Sequence, residues 1–240
     1  MNEGKKVFIT FGAGGQNFID AGNRLIRQAK STGYFDELIL FTDKNLKDDE
    51  EFWSQHSEFI SNNKRGYGYY IWKSYIIKKT MATMKNGDIL MYLDAGCEIG
   101  GSLQNEMPKY FDYVKEDKLI GTRVCIEREW NKMDLLMHLD MLNSPLIHTP
   151  QHQAGVLLFL ICAETKNLVN LWYETSCDYH LIDDSPSVHR NLPCFREHRH
   201  DQSIFSLLTK KYGIFSRKNL LCVYVIKNRT GEERIQEYNQ

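Results

Sequence analysis

Asp94 stands at the end of an apolar run, Ile89-Leu90-Met91-Tyr92-Leu93. If that run is a strand of a parallel sheet, the carboxylate sits where ligands collect, outside the strands' carboxyl ends. An acid there can hold Mg²⁺ or Mn²⁺, which one or two carboxylates bind together with the phosphate oxygens of a diphosphate. The alternative is an Asp that caps the following turn, Ala95-Gly96. A second cluster, His198-Arg199-His200-Asp201-Gln202, packs two imidazoles, a guanidinium, a carboxylate and an amide into five positions. Such a set can supply an acid/base pair or a metal ligand, or it can be an N-capped surface helix with Asp201 as the cap. The third is Lys64-Arg65-Gly66-Tyr67-Gly68-Tyr69-Tyr70-Ile71-Trp72-Lys73, basic and aromatic. Its rings could stack on a base or sugar while Arg65 and Lys73 counter phosphate charge; packing of Tyr70 and Trp72 against a sheet is the alternative.

Gly12-Ala13-Gly14-Gly15-Gln16-Asn17 follows a first strand, as in dinucleotide-binding folds. The third glycine of G-x-G-x-x-G falls at Asn17, however, and the expected acid appears only at Asp43, beyond the usual offset of about 20 residues, so NAD is a minor alternative. The chain has no G-x-x-x-x-G-K-[ST], no G-x-S-x-G and no H-E-x-x-H, which removes the P-loop, nucleophile-elbow and zincin readings.

Alternating strand and helix patterns must position these groups. Val7–Phe11 reads as a strand, Phe18 to Ala29 as a helix ended by Gly33, and Leu38–Phe41 as a second strand, a unit that builds a parallel sheet. The acidic stretch Asp48–Glu51 reads as an exposed first helical turn. A helix over Tyr70–Lys85, stopped by Asn86-Gly87-Asp88, leads into the strand Ile89–Leu93. Further helices are expected around Glu129–Met141, Lys166–Tyr179 and Asp201–Tyr212, and strands at Gly155–Ile161 and Leu221–Ile226. Loops at Asn143–His152 and Asp183–His200 break the second half and are expected to border the site.

Composition narrows the class. With 240 residues, 42% hydrophobic and 25% charged, the chain is a folded globular protein. Thirty Lys+Arg against 31 Asp+Glu give a formal net charge of -1, which leaves no global field for holding nucleic acid. Cys97, Cys125, Cys162, Cys177, Cys194 and Cys222 form no C-x-x-C pair, and Met-Asn-Glu-Gly-Lys-Lys is no signal-peptide start, so reduced thiols in a cytoplasmic protein are expected. Cys97 and Cys194 flank the candidate clusters, where buried inert thiols are commoner than reactive ones. The longest apolar run, about ten residues from Ala154 to Ala163, is too short for a transmembrane segment.

Trp72-Lys73-Ser74-Tyr75 followed by Asp88-Ile89-Leu90-Met91-Tyr92-Leu93-Asp94-Ala95-Gly96 resembles the segment of GT-A glycosyltransferases in which a lysine- or arginine-bearing helix precedes an Asp-x-Asp strand end. Gln153-Ala154-Gly155-Val156-Leu157-Leu158-Phe159 is similar to a later strand of the same enzymes, and Asp201-Gln202 to their Asp-Gln helix start. Together with the first strand, these motifs span most of the chain in the family's order. The Arg-Gly-Tyr-Gly-Tyr-x-Ile-Trp-Lys stretch and Leu-Asp-Ala-Gly-Cys-Glu-Ile most closely resemble small glycosyltransferases of large DNA viruses of algae and amoebae and of bacterial polysaccharide loci.

The resemblance implies an α/β, GT-A (Rossmann-like) fold with a mixed, mostly parallel sheet flanked by helices. It implies one domain over 1–240, with a nucleotide-binding half over about 1–100 and an acceptor-side half over about 101–240. Thr10 would lie near the nucleotide, Asp43 near the base or ribose, Lys73 near the diphosphate or donor sugar, and Gln153 on the sugar. Asp94 would take the first acid position of Asp-x-Asp, facing ribose and metal, and Asp201 would sit beside the anomeric centre. Gly96 stands where the family has its principal metal-binding Asp. Glu98, His198 or His200 are then the candidates to complete a Mn²⁺ or Mg²⁺ site.

The implied function is transfer of a hexose or deoxyhexose from a UDP-linked donor to a glycan acceptor. Breaking a sugar–phosphate bond puts negative charge on the departing diphosphate, to be met by a cation, Lys73, Arg65 or backbone donors. The acceptor hydroxyl must lose a proton, with Asp201 the first candidate base and His198 the second. The rival readings are a non-catalytic sugar- or nucleotide-binding relative and an NAD-dependent Rossmann enzyme.

Overall fold

Two strands made almost wholly of apolar side chains, β1 (Lys6–Gly12) and β3 (Ile89–Leu93), lie parallel at the middle of the sheet. Strands covered on both faces read as continuous apolar runs, and every residue of β3 is buried. The computed structural model describes residues 4–100, 102–215, 218, 223–224 and 228–234. On the far side of β1, β2 (Glu37–Thr42) pairs parallel to it. β6 (Pro150–Leu160) runs antiparallel to β3, and β5 (Leu119–Ile126) antiparallel to β6. The order is β2-β1-β3-β6-β5 with only β6 reversed, a mixed and mostly parallel α/β sheet. A separate antiparallel pair joins β4 (Glu98–Ile99) to β7 (Val223–Tyr224).

In chain order the helices are α1 (Gln16–Thr32), α2 (Asp43–Lys47), α3 (Glu50–Asn62), the single turn α4 (Gly66–Tyr69), α5 (Ile71–Thr83), α6 (Ser102–Asp117), α7 (Met133–His138), α8 (Ala163–Ser176), α9 (Tyr179–Ile182) and α10 (Asp201–Lys211). Alternate strand residues feed two cores, as the pleat requires. Ile9, Leu90, Tyr92, Leu157 and Phe159 meet Ile76 of α5, Trp172 of α8 and Phe205 of α10. Phe8, Met91 and Leu158 meet Leu25 of α1 and Met107 and Phe111 of α6. No helix among the described residues is long and apolar enough to cross a membrane.

The chain leaves β1 in one direction, through α1 to β2, and returns on the other side of β1 as β3. The crevice at the carboxyl ends of β1 and β3 is therefore a switch point, the place where open α/β sheets bind ligands. Gly33, at φ 72°, ends α1 with its N–H on the Lys30 carbonyl, as its place in the sequence predicts.

Several boundaries differ from the sequence reading. The Asn143–His152 loop gives way at Pro150 to β6, because Gln151 and His152 are buried and His152 pairs with Arg123 of β5. The helix expected at Glu129–Met141 is a 3-10 turn at Glu127–Glu129 followed by α7, and the one expected at Lys166–Tyr179 starts at Ala163 and stops at Ser176. β5 and α6 go unread in the sequence; α6 carries Pro108 in its interior, which masks a helical pattern. Asp49 is more than part of an exposed turn. It caps α3 through Phe52 N, and its Oδ2 accepts from Tyr75 Oη at 2.8 Å and from Lys79. Of the strand expected at Leu221–Ile226, Val223 and Tyr224 form β7, and the others, Cys222 included, lie outside the described residues.

Candidate functional site

Three charges from three elements converge at the switch point. Lys73 comes from the first turn of α5, Asp94 follows β3, and Asp201 opens α10. Lys73 Nζ lies 2.9 Å from Asp201 Oδ2 and 3.1 Å from Asp94 Oδ1. Lys73 and Asp201 are buried, at 3% and 5% side-chain exposure, whereas Asp94 is 41% exposed and is the member open to a ligand. Asp94 Oδ1 also accepts from Tyr92 Oη at 2.6 Å. The rings of Tyr70, Tyr92 and Trp72 stand 5.1, 5.6 and 5.8 Å from the ammonium, a spacing at which ring faces attract a cation.

Two carboxylates around one ammonium leave a net charge of one negative, and burial strengthens each of these interactions. Burial opposes the charged form of Lys73, but Asp201 and then Asp94 outweigh it and hold its pKa above the ordinary value. Burial pushes Asp201 up to about 6, against the pull of Lys73 and with help from the Asp94 charge. Although close to the ammonium, Asp201 Oδ2 receives no well-directed hydrogen bond. Burial, then the Asp94 charge, raises the Tyr92 phenol well above its usual range, so it stays a donor.

Gly155 explains how Asp94 reaches this position. A Cβ on Gly155 would stand 2.5 Å from Asp94 Oδ2 and 3.6 Å from Gln153 Nε2, so the bare glycine lets the two side chains converge over the strand. Gly155 O also accepts from Asp94 N at 2.8 Å. From behind, buried Arg24 of α1 fixes the turn after Asp94, donating to Ala95 O at 2.8 Å and Cys97 O at 2.6 Å. The same guanidinium holds the carbonyls of Asn228 and Thr230, tying the C-terminal segment to this turn.

Strained backbone precedes both Lys73 and Asp201. Residues Gly66 to Tyr70 all have positive φ, between 51° and 82°, so α4 and the residue after it form a left-handed turn with three tyrosines in it. Each non-glycine residue there costs about 1–2 kcal/mol, and such outliers cluster at functional sites. His200, at φ 55°, precedes Asp201, and its ring stands 4.9 Å from that of Tyr69 and 6.2 Å from that of Tyr70. The turn is held by Trp72 Nε1 on Gly66 O at 2.9 Å and by Arg65, which pairs with Asp184 at 3.0 Å and Glu197 at 2.5 Å.

The structure thus brings together Lys73, Asp94, Asp201 and Gln153, whose Oε1 accepts from Thr122 Oγ1 at 2.5 Å. Thr10 is wholly buried, and its hydroxyl donates to Leu93 O at 2.7 Å, bracing β1 against β3. Asp43 opens α2 and pairs with Lys47 at 2.7 Å. Arg65 is spent on the two acids of the 183–200 loop. His198 is buried with both ring nitrogens engaged, Nε2 on Leu181 O at 2.9 Å and Nδ1 accepting from Lys132 N at 3.3 Å. Burial lowers its pKa to about 3, so it is neutral. Cys97 is buried and burial raises its pKa, which keeps the thiol protonated, and half-buried Cys194 donates to Arg128 O. Tyr92 and Arg24 escape the sequence reading, one hidden in an apolar strand and the other in an amphipathic helix. A polar residue inside a run otherwise destined for the core was the available signal.

Protein side chains alone supply too few ligands to cage a divalent cation; among the described residues, Asp94 is the one carboxylate placed to share such an ion with the oxygens of a bound diphosphate. Among the described residues no three His, Cys, Asp or Glu side chains converge. Gly96 offers no side chain. Glu98 is buried and turned away, accepting from Arg234 N at 3.1 Å with both oxygens and from Asn228. His200 directs Nδ1 at Ile182 O, 2.8 Å away. What faces outward is one carboxylate, already bonded to an ammonium and a phenol.

No protein-family model and no curated protein sequence matches the chain. Among solved structures, mouse xyloside xylosyltransferase 1 in its apo form is similar at 12% identity and TM-score 0.47, over 88% of this chain and 84% of that one. The galactosyltransferase LgtC in complex with donor and acceptor sugar analogs is similar at 13% identity and TM-score 0.44, over 84% of this chain and 70% of that one.

Proposed function

We propose that the chain is a GT-A-type glycosyltransferase, moving a hexose or deoxyhexose from a UDP-linked donor to a hydroxyl of a glycan acceptor. The observation that carries this reading is the Asp94–Lys73–Asp201 arrangement at the switch point between β1 and β3. A buried ammonium flanked by one exposed and one buried carboxylate suits a substrate that offers hydroxyls to one side and becomes cationic at a carbon on the other. Asp94, the exposed acid, accepts hydrogen bonds from donor hydroxyls, and Gln153 Nε2 beside it adds a donor.

In the transfer, the bond from the anomeric carbon to the diphosphate oxygen breaks with its electron pair leaving on the diphosphate. The acceptor oxygen bonds to that carbon and gives up its proton. Asp201, ionised above about pH 6, takes the proton. Lys73 keeps Asp201 in place, and its positive charge, held in a low-dielectric surround, offsets charge developing on the leaving side. His198, neutral and doubly hydrogen-bonded, props the loop that carries Asp201.

Thermal unfolding with UDP, GDP and NAD, each with and without Mn²⁺, tests the reading, because a ligand bound only by the native state raises Tm. The expected result is a rise with UDP, with or without Mn²⁺, and none with NAD. A rise with NAD and none with UDP or GDP overturns it. Wild type that binds UDP yet shows no donor hydrolysis or transfer that Asp201→Asn abolishes is instead a non-catalytic binding protein.

A further inference from the structure

Arg199 has no use in the arrangement described so far. It lies two residues ahead of Asp201, half-buried, with its guanidinium carbon 4.0 Å over the ring of Trp130. Its backbone is fixed: Arg199 N donates to Ser203 Oγ at 3.0 Å and to Trp130 O at 3.3 Å, and Trp172 Nε1 holds Asp201 O at 3.0 Å. The side chain is thus presented by a rigid segment.

The charges around it are paired. Arg65 holds Asp184 and Glu197, Arg196 holds Glu129 at 2.9 Å, and Lys210 holds Glu127 at 2.8 Å. Arg199 forms no ion pair among the described residues, and its buried Nε has no hydrogen-bond partner. A guanidinium whose carbon sits over an indole face still has its fork of N–H donors to offer for a planar two-point contact with a phosphate or carboxylate. Electrostatics gives such a contact a purpose. The Asp94–Lys73–Asp201 centre carries a net negative charge, Arg65 is taken by two acids, and Arg24 is spent on backbone carbonyls.

We propose that Arg199, held over the Trp130 ring two residues ahead of Asp201, is an oxyanion subsite that binds a phosphate or carboxylate group of the substrate. The assignment of that group to a glycosyl-transfer substrate rests on the function proposed above. Two sources share this chemistry, the diphosphate of the donor and an acidic group on a sugar, and they separate experimentally.

The test titrates wild type, Arg199→Gln and Arg199→Lys with inorganic pyrophosphate, UDP and glucuronate, reading affinity by calorimetry and ligand-free Tm alongside. If the diphosphate is the source, pyrophosphate and UDP both weaken at least about tenfold in Arg199→Gln, with partial retention in Arg199→Lys, which keeps the charge and loses the fork. If an acidic sugar is the source, UDP affinity is unchanged and glucuronate binding is lost. Equal binding of every probe by wild type and variants, or no binding of any probe by wild type, overturns the proposal and leaves Arg199 a packing residue. Should Arg199→Gln fail to fold, Arg199→Lys against wild type carries the comparison, with a loss of at least about threefold expected for the matching probe. Wild type that binds pyrophosphate or glucuronate through Arg199 but neither UDP nor GDP sinks the nucleotide-sugar reading while the subsite stands.

Discussion

Lys73 and Asp201 meet 2.9 Å apart in nearly complete burial, one from the start of α5 and the other from the start of α10, so a single ion pair staples two helices over the carboxyl edge of the sheet. A pair out of water is asymmetric: removing one partner strands the other, at a cost of about 3–5 kcal/mol. Lys73→Met is expected to destabilise the fold by that order and to abolish transfer. The stranded Asp201 can escape by taking a proton, so the loss should be smaller at pH 5 than at pH 8. Urea unfolding at the two pH values measures this, and an equal loss at both would show that Asp201 is not what Lys73 compensates.

Asp201 sets the pH dependence of wild type as well. Its folded pKa, about 6, lies above the ordinary value of 3.8, so the native state holds the proton more tightly than the unfolded chain. The sign follows: this group's stabilisation is full below about pH 4 and is lost as pH rises through about 6. Activity runs the other way, because the base must be ionised, and the rate should climb across about pH 6 and then level. A kcat/KM profile flat between pH 5 and 7.5, with Asp201→Asn still active, would remove Asp201 from the role of base.

What the sequence disclosed and what it hid have the same physical origin. An apolar run ending in Asp94, and His200-Asp201 opening a helix, are local patterns, and local patterns placed β3 and α10 correctly and put both acids at element ends. Pairing across elements leaves no local trace. Nothing in Ile71-Trp72-Lys73 tells that Lys73 reaches an acid far along the chain, and the basic, aromatic Lys64–Lys73 stretch gives no warning that its turn is left-handed. The same blindness made Arg65 look like a phosphate ligand, when its two partners lie on a loop more than a hundred residues away. β5 and the first residues of β6 were missed for a related reason: their polar side chains, Arg123 over Phe215, Gln151 on Ser203 and His152 on Thr209, are matched by partners that only the tertiary fold provides.

Gly155 separates geometry from stability. In Gly155→Ala the new Cβ would press on Asp94 Oδ2, at 2.5 Å, but Asp94 is partly exposed and can swing away. Global stability is therefore expected to change by no more than about 1 kcal/mol. Displacing a binding carboxylate by about 1 Å costs on the order of 10²-fold in rate, and kcat should fall by that order while Tm holds. A variant with unchanged kcat would mean that the position of Asp94 over Gly155 does not matter to the reaction.

Arg65 offers the opposite separation. Its pairs with Asp184 and Glu197 are partly solvent-exposed, and exposed pairs contribute about 0–1 kcal/mol each. Arg65→Ala should shift Tm only slightly. Amide exchange should quicken at residues 66–70 and 183–200, the two segments the guanidinium joins, with UDP affinity within about twofold of wild type. Loss of UDP binding without faster exchange would return Arg65 to the phosphate-binding role that its sequence neighbourhood implies.

Acid sensitivity should come from buried histidines that take no part in the proton transfer. His56, between the hydroxyls of Tyr173 and Tyr179 at 2.8 Å each, His152, stacked on Phe215 with Nδ1 on Thr209 Oγ1 at 2.6 Å, and His198 are all buried. Burial lowers their pKa values to about 4, 3 and 3 from the ordinary 6.5. The unfolded chain binds protons at these sites across that window while the native state does not, so stability is full above about pH 6.5 and drains as pH falls toward 4 and 3. Over pH 4–6 this opposes the Asp201 contribution, and three histidines outweigh one carboxyl. The unfolding midpoint in urea is therefore expected to fall steadily from pH 6.5 to 4, and His152→Phe should flatten that slope by about a third. An unchanged slope in His152→Phe would mean that the imidazole is protonated in the native state and that its stacking on Phe215 is a cation's contact.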